Sequence, residues 1–206
     1  MARALDVSRE TLDRLRAYAS LLVKWNARIN LISPDSIPNL WSRHIADSAQ
    51  IFGLIPRNAP NLLDVGSGAG FPGLVLAILG VRNVHLVESD QRKVAFMREA
   101  ARAAAVEVTL HSERIEKLQP FTASVVTARA LAPLERLLDW TAPFRGPDTL
   151  CLFLKGQAVE GELTEAHKKW TMVVDRRPSL TDPSGTILAL REVRRVRDHS
   201  VRALDP

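Results

Sequence analysis

The segment Asn61-Leu-Leu-Asp-Val-Gly-Ser-Gly-Ala-Gly-Phe-Pro-Gly73 holds the residues best suited to receive a ligand. An apolar run ends in Asp64, and glycines follow at positions 66, 68, 70 and 73. A strand that stops in such a turn and continues into a helix lets a ligand approach the backbone closely and exposes N–H groups at the helix N-terminus. Pro72 fits the first helical turn, where its missing N–H leaves nothing unsatisfied. Dinucleotides and S-adenosyl-L-methionine both use turns of this kind. Counted from Gly66, the dinucleotide spacing needs a small residue where Phe71 stands; counted from Gly68, it is met by Gly70 and Gly73. The glycines alone leave both ligands open. Asp64 separates them, because a carboxylate facing the ligand suits the ammonium and hydroxyls of an amino-acid-bearing nucleoside and repels a pyrophosphate. S-adenosyl-L-methionine is the expected cofactor, with Asp64, Gly66, Gly68, Gly70 and Phe71 around its turn.

Glu88 closes the next apolar run, about 20 residues past the glycines, where a carboxylate accepts hydrogen bonds from a ribose diol. Both ligands carry that diol, so Glu88 indicates a nucleoside without choosing between them. Asp90 is expected to cap the following helix. After the third run comes His111-Ser-Glu-Arg-Ile-Glu116, whose Ile115 and Glu116 are candidates to lie along an adenine, with helix capping as the alternative for the acids.

The fourth run ends Val126-Thr-Ala-Arg-Ala130, at the position facing the methyl group to be transferred. It lacks the Asn/Asp-Pro-Pro-aromatic pattern of amino-group methylation and lacks a base for hydroxyl methylation. Methylation at pyrimidine C5 needs a cysteine nucleophile, and Cys151 is placed like a small core residue. A target already nucleophilic at neutral pH remains, such as guanine N7. Arg129 is a candidate to hold a carboxylate or a phosphate in bidentate fashion, a structural ion pair being the alternative. Lys155, closing the fifth run, reads as a phosphate contact or as a solvated lysine. Arg43 and His44 are candidates to touch nucleic acid, although a lone histidine there is more often structural. The basic stretch from Arg191 to Arg202 fits a nucleic-acid backbone and a solvated surface equally well. The histidines show no metal spacing, and no metal is expected.

These residues need a scaffold. Periodicity predicts an amphipathic helix over residues 9–30 and a second over Pro38–Phe52 capped by Asp35 or Ser36. Strands are expected at Leu62–Val65, Val84–Val87, Val106–Leu110, Ser124–Thr127 and Leu150–Leu154. Helices are expected at Gly73–Leu79, Gln91–Ala105, Pro133–Ala142 and Glu160–Trp170. Alternation of this kind means βαβ units on a parallel sheet. Met172–Val174 and Ile187–Val193 then read as a closing hairpin around the loop Pro178–Gly185, a feature typical of class I methyltransferases. The fold expected is α/β: a Rossmann-like, mostly parallel seven-stranded sheet with a terminal antiparallel hairpin and N-terminal helices. The 206 residues read as a single domain, with 1–60 a helical extension and 61–206 the cofactor-binding core. Hydrophobic content of 46% and charged content of 25% are those of a soluble globule. No apolar stretch approaches the ~20 residues of a membrane span, and the single cysteine excludes a disulfide framework. A cytoplasmic protein without membrane association is expected. The net charge of +5 is mild evidence for a polyanionic partner.

Lys24-Trp-Asn with Asn30-Leu, the Arg43-His-Ile-Ala-Asp-Ser segment, the glycine motif with its Phe-Pro-Gly, Ala128-Arg-Ala and Leu154-Lys-Gly occur together in one order. In this the chain resembles the RsmG (GidB) family of bacterial small-subunit rRNA guanine-N7 methyltransferases, from about Lys24 to Val196. The resemblance implies methylation of a guanine N7 in the helix 18 loop of 16S rRNA, presented as free rRNA or as a small-subunit assembly intermediate, by a monomer. It also implies cofactor contacts from Gly66, Phe71, Ile115, Glu116 and Arg129. Glu88 stands where the family commonly has Asp. The alternatives are a nicotinamide-dependent oxidoreductase on a related sheet and a non-catalytic RNA-binding module that senses S-adenosylmethionine.

Overall fold

The computed structural model describes residues 7–196, which build a seven-stranded sheet in the order β3-β2-β1-β4-β5-β7-β6. The strands are β1 (Leu62–Val65), β2 (Val84–Val87), β3 (Thr109–His111), β4 (Ala123–Arg129), β5 (Arg145–Lys155), β6 (Trp170–Pro178) and β7 (Thr186–Arg195). The first five pair in parallel. β7 inserts antiparallel between β5 and β6. The helices are α1 (Arg9–Asn26), α2 (Gly73–Ile78), α3 (Gln91–Ala103), α4 (Leu134–Thr141) and α5 (Val159–His167).

Strand alternation assigns side chains to two cores. Leu62, Val125, Leu152 and Ile187 point to the face covered by α1, α2 and α3. Leu63, Val126, Phe153 and Leu188 point to the face covered by α4 and α5. Each large apolar side chain buried in this way contributes about 1.5–3 kcal/mol.

Helix α1 starts where Ser8 Oγ accepts the Thr11 N–H at 3.1 Å. It ends earlier than its periodicity predicts because Asn26 Oδ1 accepts the N–H groups of both Leu31 and Ile32 at 3.0 Å, which turns the chain. The predicted second helix differs more. Residues 34–49 are helical, but as a 3-10 turn (Pro34–Asn39), a π-helical turn (Trp41–Ala46) and one α-turn (Asp47–Ala49). Neither Asp35 nor Ser36 caps it: both lie inside the first turn, which opens on Pro34. Leu40, Ile45 and Ala49 of its stripe are buried as expected. Asp90 does cap α3, accepting the Arg92 N–H at 2.9 Å. β5 starts earlier than its apolar run, at Arg145, because Gly146, Pro147 and Asp148 give no apolar signal yet continue the strand. Likewise β6 and β7 exceed their apolar runs, since the far half of the hairpin is exposed and its residues are polar. No helix among the described residues is long and apolar enough to cross a membrane.

Candidate cofactor and methyl-transfer site

Strand order reverses between β1 and β4, the place where open α/β sheets bind ligands. A cleft of about 680 Å³ opens there. Its walls are the glycine turn, the ends of β4 and β5, the 34–49 segment and the β6–β7 loop.

The turn is built from beneath. The Asp64 carboxylate is fully buried. It accepts the Thr127 hydroxyl at 2.7 Å and the Gly73 N–H, at the start of α2, at 3.2 Å. Asp64 thus does not face the cleft as its position in the sequence suggested; it occupies the anion position at the helix N-terminus. Burial pushes its pKa up to about 6 against the pull of those hydrogen bonds. The expected display of free N–H groups is reduced to that of Ala69. Gly66 and Ser67 donate to Val87 O, Gly68 donates to Glu88 Oε2, and Gly70 and Phe71 donate to Ser67 O. A pyrophosphate would find the helix terminus filled by a carboxylate and most of the turn's donors engaged, Ala69 N–H excepted. This argues against a dinucleotide.

What the turn offers is bare backbone. Gly68, at φ +57°, has only Gly66 O within 4 Å of where a Cβ would sit, at 3.9 Å, and it borders the cleft. Gly73 has the opposite reason to be glycine, because its Cβ would stand 2.7 Å from Asp64 Cβ and 2.4 Å from Leu86 Cδ2. From the other side, Tyr18 donates its hydroxyl to Ala69 O at 2.6 Å, so α1 pins the turn. Glu88 braces it laterally, accepting from Gly68 N and from Asp90 N at 2.8 Å. Ile115 is packed in the α4-side core and Glu116 is exposed; neither lines the cleft.

Arg129 reaches into the cleft from the end of β4. Its guanidinium lies 4.8 Å over the Phe71 ring. It donates to Asp47 Oδ2 at 3.2 Å, to Arg43 O at 3.0 Å and to His44 Nδ1 at 2.9 Å. Arginine can only donate, so His44 Nδ1 accepts and Nε2 carries the proton. That Nε2–H reaches Ser36 Oγ at 2.9 Å, and Ser36 in turn donates to Ser33 O at 2.6 Å. His44 also stacks on Phe71, the ring centroids 5.1 Å apart. Burial, with Arg129 and Arg43 adding to it, lowers the His44 pKa to about 4. It is a neutral positioning group at physiological pH.

Asp47 was not singled out by sequence reasoning, nor were Gln50, Tyr18, Thr127 and Thr181. The signal for the first two was present: Arg43, His44, Asp47 and Gln50 follow the i, i+1, i+4, i+7 spacing of one helical face. Asp47 Oδ1 accepts the Thr181 hydroxyl at 2.7 Å and the Gln50 amide at 2.8 Å, fastening the β6–β7 loop to the cleft.

Lys155 corrects its expected role. The residue edges the cleft, but its ammonium donates to Ala132 O at 2.8 Å and pairs with Glu162 at 2.5 Å, leaving the side chain 6% exposed. It is neither a phosphate contact nor a solvated lysine. Cys151 is fully buried and its thiol is pushed up to about 12 by burial, which removes it as a nucleophile. Of the basic stretch near the end, Arg191, Arg194 and Arg195 are exposed on β7, with Arg195 paired to Asp139. The part from residue 197 onward lies outside the described residues.

A mostly parallel sheet closed by an antiparallel β7, with a glycine turn at the switch between β1 and β4, defines a class I methyltransferase fold. Solved structures share it. M. jannaschii TYW2 in complex with AdoMet has a TM-score of 0.59 at 13% identity, covering 82% of this chain and 80% of that one. A putative class I S-adenosylmethionine-dependent methyltransferase from Listeria monocytogenes gives 0.59 at 15% identity, covering 98% of this chain and 73% of that one. Sequence narrows the class to a family. The profile described as GidB, rRNA small subunit methyltransferase G, matches residues 11–188. Ribosomal RNA small subunit methyltransferase G of Paramagnetospirillum magneticum is 60% identical over 191 residues, 93% of each chain. Its counterpart in Rhodospirillum centenum is 54% identical over 190 residues, 92% of this chain and 88% of that one. The chain belongs to the rRNA small subunit methyltransferase G family.

Proposed function

We propose that the protein methylates N7 of a guanine in small-subunit rRNA, with S-adenosylmethionine as methyl donor. The cleft fits this donor. Its volume lies within the ~300–1,000 Å³ of small-molecule sites, the Gly68 position leaves backbone open to a ligand, and Glu88, which does not itself line the cleft, shapes it by holding Gly68. When bound, S-adenosylmethionine supplies an electrophilic methyl group; guanine N7 takes it through a ring lone pair, so no proton leaves the base.

The observation that carries this reading is that, among the described residues, none lining the cleft is placed as a free general base. His44 accepts from Arg129 and has a pKa lowered to about 4. Asp47 is ion-paired with Arg129 and accepts two further hydrogen bonds. Asp182 is held below the usual carboxylate range by its hydrogen bonds from Ser184. Lys155 is paired. Amino and hydroxyl targets must lose a proton to something, whereas N7 needs orientation, which alone contributes about 7–11 kcal/mol. In this reading Arg129, fixed from three directions, holds an anionic group of donor or RNA, while Phe71 and His44 form the apolar floor. The position methylated is read as the helix 18 loop of 16S rRNA, on free rRNA or on an assembly intermediate.

The test is to incubate the protein with labelled S-adenosylmethionine and small-subunit rRNA and map the label by the reduction-and-aniline cleavage specific to 7-methylguanine. Single-turnover rates at fixed ionic strength should change little between about pH 6.5 and 9, because no side chain must lose a proton. A steep rise with a pKa near 7 to 8, or label on an exocyclic or ribose atom, would reject N7 as the target.

A further inference from the structure

The β6–β7 loop carries Leu180 with 84% of its surface exposed, while its neighbours Ser179 and Thr181 line the cleft. An exposed leucine alone is ordinary. This one stands on a loop whose backbone is held in place by another segment. Leu180 N–H donates to Gln50 Oε1 at 2.8 Å, and Gln50 Nε2 donates to Ser179 Oγ at 3.1 Å. Thr181 donates to Asp47 Oδ1 at 2.7 Å, and Ser179 N and Gly185 N close the loop on Gly185 O and Asp182 O. Asp47 also holds Arg129, so a single carboxylate connects the leucine's loop to the guanidinium in the cleft. Beside the glycine turn a second leucine, Leu131, is 38% exposed and covers Gly66. Arg43 lines the same cleft. The opening of the cleft thus carries an exposed apolar side chain on a loop held by hydrogen bonds to the 34–49 segment.

We infer that Leu180 is a wedge that enters the RNA base stack beside the target guanine as that base swings into the cleft. The inference rests on the rRNA-methyltransferase reading above. A guanine stacked in an A-form helix presents N7 in a deep, narrow groove that side chains do not read, and RNA loops are read through bases splayed from their stack, so the target base must leave its stack. Leucine is among the side chains that part base steps by insertion. Prior ordering of the loop means the wedge does not have to be immobilised when the RNA docks.

The test places 2-aminopurine next to the guanine identified by label mapping and follows its fluorescence, which rises on unstacking, alongside single-turnover methylation. Wild-type protein should raise the signal. Leu180→Ala should remove at least about half of the rise and slow transfer roughly tenfold, as expected when unstacking loses its filler. Leu180→Met, which restores an apolar filler, should recover both readouts. Gln50→Ala, which frees the loop, should reproduce part of the Leu180→Ala defect. Unchanged melting temperature and cofactor affinity in Leu180→Ala would show that the loop and turn are intact. A Leu180→Ala protein with the wild-type fluorescence rise and a wild-type rate overturns the wedge. So does a defect seen on ribosomal particles but not on naked rRNA, because the leucine would then contact protein. A wild-type enzyme that transfers methyl to no rRNA rejects the functional reading itself, a result distinct from either.

Discussion

Gly68 combines two demands that a residue with a side chain cannot meet: a φ of +57° and an open approach from the cleft. Valine there would cost about 1–2 kcal/mol in backbone strain and would project its branched side chain into the cleft, where the proposed donor would meet the backbone. We predict that Gly68→Val folds, with a lowered melting temperature, and binds S-adenosylmethionine below detection by calorimetry. Normal binding by the folded variant would place the cofactor site elsewhere. The turn's glycines and Arg129 were legible in the sequence as residues that shape the cleft, but not what each does there: Gly73 is required by packing on Asp64, and Arg129 makes the ion pair, with Asp47, that was the alternative to a ligand contact. Asp64 was legible as important but not in its orientation. Its place at a strand's end suits a ligand contact and a helix cap equally, and only the packing of α2 over β1, with Gly73 pressed on Asp64, decides. Tyr18 was hidden for a similar reason. In the sequence it is one more member of an apolar stripe, and its hydroxyl acquires meaning only when α1 is laid against the turn.

At the scale of elements, the end of β5 is joined to α5 and to the start of α4 through one carboxylate. Glu162 pairs with Lys155 and also accepts the Leu134 N–H at 2.7 Å. Removing one partner of a largely buried pair leaves the other uncompensated, so Lys155→Ala should destabilise the fold by about 3 kcal/mol. The salt dependence of RNA binding should stay that of the wild type. Chemical denaturation and filter binding across ionic strength measure the two. A shallower salt slope with unchanged stability would return Lys155 to the role of phosphate contact. Sequence reasoning found all seven strands and the terminal hairpin, because short apolar runs separated by longer amphipathic ones leave little other choice, but it started β3 at Val106 where the strand begins at Thr109. It misjudged the 34–49 segment, where Pro34 and Pro38 break the α pattern without ending the helical course. It also could not show Lys155 paired, since Glu162 meets it only after α5 has folded back on the sheet.

For the whole molecule, buried ionisable groups set opposing responses to acid. Asp64 has its pKa raised by burial from 3.8 to about 6, so between those values the native state binds a proton that the unfolded chain does not. Its contribution therefore favours the folded state at low pH and fades as pH rises to about 6, by on the order of 3 kcal/mol for a shift of roughly two pKa units. His44 runs the other way. Burial, Arg129 and Arg43 lower its pKa from 6.5 to about 4, so the unfolded state takes up the proton first and stability falls as pH drops through that interval. His85 and His111, stacked on adjacent strands and lowered mainly by burial, act in the same sense as His44. Between about pH 4 and 6 the carboxyl partly cancels the histidines. We predict that Asp64→Asn, beyond a general loss of stability from its disturbed hydrogen bonds, loses melting temperature more steeply than wild type on acidification from pH 6.5 to 4. His44→Gln should show a shallower loss than wild type over the same range. Calorimetric melting temperatures at matched ionic strength give the three slopes. An Asp64→Asn profile parallel to that of the wild type would mean that Asp64 titrates like an ordinary carboxylate, and that the helix N-terminus of α2 holds it charged in spite of its burial.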